Sequence, residues 1–319
     1  MLEVTGLEKH FYLSGRRQIY AVNGVSFSVA ENETLGIVGE SGCGKSTLGR
    51  AVLRLAEPDK GSVFFNGEDV TRLDRRSMRS RRRDMQMVFQ NPFASFNPKI
   101  RIEGALTEVC RYYGMSASRG REKIARIFAD TGLPEDLLLR WPRELSGGQL
   151  QRLAIARALL SEPSLIVADE PLSALDVSVQ AQLLNLLNSL RKSRSIVMIF
   201  ISHDMTVVEY FCDRVAVMYA GIIMELLPSE ELSNAPLNTL HPYTRSLKAS
   251  APRIDVFKDS PVEVNAPSML KGEAPNPLAP LTGCPFAPRC PEAKPRCTAE
   301  LPEYREVSLG HWLRCFRHA

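Results

Sequence analysis

The stretch Gly39-Glu40-Ser41-Gly42-Cys43-Gly44-Lys45-Ser46-Thr47 constrains the fold of this 319-residue chain more than any other feature. It follows an apolar run, Leu35 to Val38, and opens a helix-compatible stretch from Thr47 to Leu55. Strand, glycine-rich loop and helix in that order are the context a phosphate-binding loop requires. Glycines let the backbone wrap an anion with its N–H groups pointing inward, and the helix N-terminus adds its positive end. In that reading Lys45 reaches the β- and γ-phosphates of a nucleotide, and the Ser46 hydroxyl ligates magnesium. Gly39, Ser41, Gly42, Cys43, Gly44 and Thr47 complete the cradle, with Cys43 a small loop residue and not a thiol ligand.

Further runs apolar on both faces occur at Leu165 to Ala168, Ile196 to Ile201 and Val215 to Met218. Continuous apolar strands of this kind predict a buried parallel sheet. Leu2 to Thr5, Val22 to Val29 and Ser62 to Phe65, the last before an Asn66-Gly67 turn, predict an antiparallel β layer. Between Asn97 and Pro163 helical signals take over, at Glu103 to Tyr113, Arg119 to Thr131 and Gln149 to Leu160. The fold class is therefore α/β, with an inserted helical subdomain at about 97–163. The strand Leu165 to Ala168 ends in Asp169-Glu170. A carboxylate at that edge is placed to hold magnesium through its water shell, and Glu170 to polarise an attacking water.

Charge and length exclude several classes. The net charge of +4, from 40 basic and 36 acidic residues, demands no nucleic-acid partner. The basic run from Arg72 to Arg83 is interleaved with Asp74 and Asp84 and no aromatic platform accompanies its arginines, so it is read as a solvated helix face. No apolar run approaches the roughly 20 residues that a membrane span needs. Glu3, Glu8 and Lys9 argue against a secretory signal and for a cytoplasmic protein.

Between the two phosphate motifs stands Leu145-Ser146-Gly147-Gly148-Gln149. This resembles the signature motif of the ABC ATPases, P-loop NTPases with an antiparallel β subdomain and a helical signature subdomain. The likeness extends over about Leu2 to Leu232. It implies that Gln90 is the Q-loop glutamine and a magnesium ligand, that Ser173-Ala174-Leu175-Asp176 is the D-loop and that His203 is the switch histidine. It also implies that Phe11 stacks on adenine, with Tyr12 the competing choice. Ser146, Gly147, Gly148, Gln149 and Asp176 would contact the nucleotide of a partner subunit, two ATP being buried between two ATPases. Catalysis would rest on Glu170, His203 and Gln90, with ATP and Mg as cofactors and Ser46, Gln90 and Asp169 around the metal.

A finer resemblance rests on Gln90-Asn91-Pro92-Phe93, Ser95-Phe96-Asn97-Pro98, His241-Pro242-Tyr243-Thr244 and Gly283-Cys284-Pro285-Phe286 with Arg289-Cys290-Pro291. These resemble the ATPases of oligopeptide, dipeptide and nickel importers. The implied domains are an ABC ATPase at 1–234 and an importer-type extension at 235–319. The implied partners are a second ATPase (a copy or a homologue), two permease chains and an extracytoplasmic substrate-binding protein, with this chain peripheral on the cytoplasmic face of the membrane. The alternatives are the same role for nickel or another small solute, or a soluble ABC ATPase not engaged in transport. Phe93 and Phe96 are read either as permease-facing or as core aromatics.

The extension is loop-rich: ten of the chain's 21 prolines lie between Pro261 and Pro302. Four of seven cysteines, Cys284, Cys290, Cys297 and Cys315, fall in the last 36 residues with gaps of five, six and seventeen. These gaps match neither zinc ribbons nor ferredoxin runs. The importer resemblance implies a four-iron, four-sulfur cluster, with zinc or metal-free thiols as the alternatives.

Overall fold

A computed structural model describes residues 1–13, 17–173, 175–250, 275 and 278–318. Among them the strands are β1 (Leu2–Tyr12), β2 (Gln18–Val29), β3 (Thr34–Val38), β4 (Lys60–Phe65), β5 (Glu68–Asp69), β6 (Met85–Val88), β7 (Leu165–Asp169), β8 (Val197–Ser202), β9 (Arg214–Tyr219), β10 (Ile222–Pro228), β11 (Arg305–Ser308) and β12 (His311–Leu313). The helices are α1 (Lys45–Val52), α2 (Arg75–Arg81), α3 (Ile102–Tyr112), α4 (Ala117–Thr131), α5 (Gly147–Leu159), α6 (Val177–Arg194), α7 (Met205–Phe211), α8 (Ser229–Asn234), α9 (Pro242–Ser250) and α10 (Pro295–Ala299). They form two compact units, one of residues 1–2, 29–33 and 65–201, the other of 3–28, 34–64 and 202–319.

The first unit carries parallel strands in the order β8-β7-β6. Met85 to Val88 pair with Leu165 to Ala168, and Leu165 to Asp169 pair with Val197 to Ile201. Every residue of β7 and β8 is buried, as their two-sided apolar sequences predict. This register delivers Asp169 to the carboxyl edge. Three helices follow in the inserted segment, close to their predicted spans, with α4 packed on both α3 and α5. Helices α3 and α4 each bury one apolar stripe, Ile102, Leu106 and Cys110 on α3 and Ile124, Ile127 and Phe128 on α4, whereas α5 is buried on most sides, Leu153 to Ala156 in succession. Helix α4 stops at Gly132, whose φ of 62° closes the last turn in a left-handed conformation.

The arginine run forms α2, capped by Asp74, whose carboxylate accepts from Ser77 N–H at 2.7 Å. Its arginines do find aromatic neighbours, from the end of α3. Arg79 lies 5.0 Å from the Tyr112 ring centroid and donates to the Tyr112 hydroxyl at 2.9 Å, and Arg83 lies 5.9 Å from the Tyr113 ring. The sequence hid these pairs because the tyrosines lie about thirty residues downstream.

In the second unit β1, β2 and β4 share a sheet in the order β2-β1-β4. A second sheet runs β11-β12-β10-β9-β3. Strands β3 and β9 are parallel, with Leu35 opposite Arg214 and Val38 opposite Val217, while β9 and β10 form an antiparallel hairpin. The tail is loop-rich with short elements, two of which join the sheet: Leu313 and Trp312 of β12 pair antiparallel with Glu225 and Leu226 of β10, and β11 pairs with β12. These strands are three and four residues long, and β11 has no buried residue. An edge ribbon of that kind carries almost no alternation for a sequence pattern to detect. The proline-rich stretch from Pro261 to about Asn276 lies mostly outside the described residues.

Candidate nucleotide site

The predicted site residues fall in both units, and each group is built locally. In the second unit the chain leaves β3 at Val38, turns through Gly39 to Gly44 and enters α1 at Lys45, two residues earlier than the predicted helix start. Helix α1 ends at Val52, before Arg54 turns left-handed at φ 49°. Gly44 is required twice over, because its φ is 107° and a Cβ there would sit 2.1 Å from the Ala21 carbonyl oxygen. At Gly39 a Cβ would sit 2.1 Å from the Met218 carbonyl oxygen, so close packing against β9 excludes a side chain. The loop is braced from outside: Cys43 O accepts from Gly221 N–H at 2.9 Å, and Asn23 N–H donates to Gly221 O at 2.8 Å.

Lys45 is 4% exposed. Its ammonium donates to the carbonyls of Gly39 at 2.7 Å and Glu40 at 2.9 Å. A buried ammonium held beside a helix N-terminus is a chemically apt partner for a polyphosphate. Burial pushes the Cys43 thiol up, against the opposing influence of Lys45, so it remains neutral as a loop residue should. Ser46 and Thr47 lie in the first turn of α1. The cradle therefore fits a nucleotide phosphate chain. Phe11, at the end of β1, is 42% exposed with the Lys9 ammonium 5.5 Å from its ring centroid, and Tyr12 is 76% exposed.

His203 follows β8 and is exposed, while Asp204 caps α7 by accepting from Thr206 N–H at 2.9 Å.

In the first unit Gln90 and Glu170 meet directly, Gln90 Nε2 donating to Glu170 Oε2 at 2.8 Å. Asp169 is buried at the end of β7. Glu170 has φ 46°, a left-handed conformation that costs a non-glycine residue about 1 kcal/mol, and its N–H donates to Ile201 O at 2.9 Å. The left-handed turn ends the strand run, and the carboxylate beyond it is held by Gln90. The following turn is braced by Gln180, whose Nε2 donates to Leu172 O at 3.2 Å and Leu175 O at 3.0 Å. Asp176 begins α6, and Ala174 lies outside the described residues.

The signature residues form a reciprocal cap. Ser146 Oγ accepts from Gln149 N–H at 3.2 Å and Gln149 Oε1 accepts from Ser146 N–H at 3.0 Å. The cap holds Ser146 and Gly147 exposed at the start of the 13-residue α5, a helix end suited to an anion. Gly148 is tight against α6, where a Cβ would fall 2.8 Å from Val179 Cγ1.

The loop after Gln90 separates the two aromatic readings. Phe96 is 4% exposed, with Arg157 over its ring at 5.6 Å, and is a core residue, whereas Phe93 is 48% exposed. Three residues that sequence reasoning did not assign to the site also support it: Gln180, Tyr243 and Arg289. Tyr243 Oη accepts from Glu40 N–H at 3.0 Å, and Arg289 grips the Glu40 carboxylate at 2.8 and 2.9 Å. The only trace of these contacts in sequence is the importer-like patterns around them.

The four tail cysteines line one small cavity with His241, Phe286 and Phe316, and none forms a disulfide. Burial, reinforced by the charges of the other three, pushes the Cys284 thiol up to about 11. Cys290 and Cys315 are raised by burial as well. No group of three or more His, Cys, Asp or Glu among the described residues is placed to hold a metal ion. The thiols thus converge without forming a compact single-ion site.

Comparison with known proteins agrees with this geometry. Residues 22–173 match the family described as ABC transporter, and residues 224–297 match the oligopeptide/dipeptide transporter C-terminal region. The oligopeptide transport ATP-binding protein AppF of Bacillus subtilis is 45% identical over 323 residues, covering 99% of this chain and 96% of AppF. A protein named for peptide import in Brucella ovis is 46% identical, covering 99% of this chain and 98% of that one. Among solved structures, the dimeric ATP-binding cassette MJ0796 with ADP and phosphate is 29% identical with TM-score 0.66, over 72% of this chain and 99% of that one. The cassette cbiO1 of Clostridium perfringens, part of an ABC transporter complex, is 26% identical with TM-score 0.66, over 73% of this chain and 90% of that one.

Proposed function

Because this chain belongs to the ATP-binding proteins of ABC transporters, we propose that it hydrolyses ATP to drive import of di- or oligopeptides through a membrane permease. The observation that carries the cargo class is the joint match of cassette and importer-type C-terminal region in one chain. Among the described residues no helix is long and apolar enough to cross a membrane. The partners are two permease subunits, a second ATPase and an extracytoplasmic binding protein, with this chain peripheral on the cytoplasmic face.

Each residue then has a task. The loop N–H groups from Gly39 to Thr47 and the Lys45 ammonium hold the phosphates, and Phe11 stacks on the base. Ser46, Gln90 and Asp169 are the residues that would hold magnesium, which supplies charge neutralisation on the phosphate oxygens. Glu170, oriented by Gln90, polarises the water, and His203 steadies the terminal phosphate. Ser146 to Gln149 and Asp176 complete the site of a partner subunit. The exposed Phe93 and the loop around it transmit motion to the permease.

A second reading concerns the tail. Four cysteines converging on one cavity support a four-iron, four-sulfur cluster held by Cys284, Cys290, Cys297 and Cys315. Such a group would act as a staple that offsets the ordering entropy of a short, loop-rich segment. Protein purified without oxygen should be brown and contain iron and acid-labile sulfide; a colourless preparation lacking both would reject the cluster.

The function is tested by reconstituting the chain with its co-expressed membrane partners in vesicles. ATP should drive uptake of a labelled peptide in the presence of the binding protein. Uptake of nickel but no peptide would reassign the cargo, and ATP hydrolysis without membrane partners or transport would favour a soluble role.

A further inference from the structure

The cysteine-bearing tail reaches the phosphate loop through one arginine. Arg289 lies between Cys284 and Cys290 in a turn tightened by Ala287 N–H to Cys284 O at 3.0 Å and Arg289 N–H to Phe286 O at 2.9 Å. The turn is seated by Phe286, fully buried and in contact with the rings of Tyr219 at 5.6 Å and Tyr243 at 5.3 Å. It is also tied to α10, since Cys284 N–H donates to Cys297 O at 2.7 Å. From this base the Arg289 side chain, 6% exposed, forms a forked pair with both oxygens of Glu40 and donates to Tyr219 Oη at 3.0 Å.

Glu40 is the second residue of the phosphate cradle, and a free carboxylate there would repel the ligand that the cradle is built to hold. Its backbone is fixed as well, because its N–H donates to the buried Tyr243 hydroxyl and its carbonyl accepts from Lys45. Resting on the ATPase reading above, we propose that Arg289 is a positioning residue for nucleotide binding: the tail clamps Glu40 from outside the cradle, neutralising its charge and fixing the loop. The bidentate geometry matters, since a guanidinium fork matches a carboxylate where an ammonium offers a single point charge. The clamp makes nucleotide affinity depend on the tail being correctly folded, and the coupling is reciprocal.

The test measures ATP affinity and melting temperature in the full-length protein for wild type, Arg289→Ala, Arg289→Lys, Glu40→Gln, the Glu40→Gln/Arg289→Ala double variant and Lys45→Ala. The clamp predicts about tenfold weaker binding in Arg289→Ala, within the usual range of coupling between sites, and an intermediate value in Arg289→Lys. In the Glu40→Gln background, where no charge needs neutralising, Arg289→Ala should weaken binding by less than about threefold, the non-additivity expected of contacting residues. Should Arg289→Ala fail to fold, Arg289→Lys carries the comparison. Unchanged affinity in the arginine variants, with or without a lower melting temperature, would reduce Arg289 to a structural contact and overturn the proposal. An equal loss in the presence and absence of Glu40 would also overturn it. If wild type binds no ATP, or Lys45→Ala binds as well as wild type, the ATPase reading itself fails, a result distinct from failure of the clamp alone.

Discussion

The phosphate loop and the cysteine tail lie in the same unit but are specified in opposite ways. The loop's turn is made by neighbours in sequence, since β3, six loop residues and α1 are contiguous and the Lys45 contacts span five and six positions, with distant residues only bracing it from outside. The tail is made by distant partners. Arg289 reaches Glu40 across 249 positions, and His311 reaches Glu225 across 86 and Glu231 across 80. A locally encoded site can lose its function while the fold stands, whereas a segment held by scattered contacts should lose stability first.

The sharpest way to break that contrast is at Lys45. Lys45→Ala removes two charge-assisted hydrogen bonds and the cation proposed to face the phosphates, each contact worth about 1.5–3 kcal/mol. ATP affinity should fall by roughly 100-fold or more in equilibrium titration, the equivalent of about 3 kcal/mol, while the melting transition stays cooperative but moves down with the loss of the two bonds to the loop carbonyls. The counterpart in the tail is Phe286→Ala. Removing a fully buried aromatic should cost about 3–5 kcal/mol, read as loss of the cooperative transition that includes the tail.

Histidine 311 sharpens the comparison through pH. It sits between Glu225 Oε1 and Glu231 Oε1, each at 2.8 Å, and is 2% exposed. Burial pulls its imidazole down, but hydrogen bonds with and charges from both glutamates outweigh that and hold it above its ordinary value of 6.5. With the folded value raised, its stabilisation is complete below about pH 6.5 and is lost as pH climbs through the raised value. Melting temperature should therefore decline over that window in wild type, and the decline should shrink in His311→Gln.

The smallest effect is expected at Phe93. Phe93→Ala should shift stability by no more than about 0.5 kcal/mol, the usual range for exposed positions. The same change at Phe96, 4% exposed, should cost several times more. Pull-down with the permease should reverse the order, Phe93→Ala losing the partner while the subunit stays folded.

Much of the molecule was legible because its signals are local or periodic. The runs at Leu165 to Ala168 and Ile196 to Ile201 fall in β7 and β8, strands buried on both faces, and the three predicted helices lie within two residues of α3, α4 and α5. The pair Asp169-Glu170 could be placed at a strand end from sequence, but the left-handed turn at Glu170 could not, since nothing in its residue type announces it. Phe93 and Phe96 look alike in sequence, but Phe93 lies within a short 3-10 turn and is exposed while Phe96 follows it and is buried. The pairing of β12 with β10 and the hold of Arg289 on Glu40 are long-range polar or edge contacts without a period, so no pattern along the chain encodes them.

Whether this chain hydrolyses ATP with Glu170 as the residue that activates water is decided by phosphate release from Glu170→Gln. The amide keeps size and hydrogen-bonding reach, including a partner for Gln90, while removing the charge. ATP affinity should stay close to wild type, a nucleotide-bound dimer should accumulate, and turnover should drop by about 10²-fold or more, the contribution expected of a general base. Phosphate release near the wild-type rate would contradict that role for Glu170.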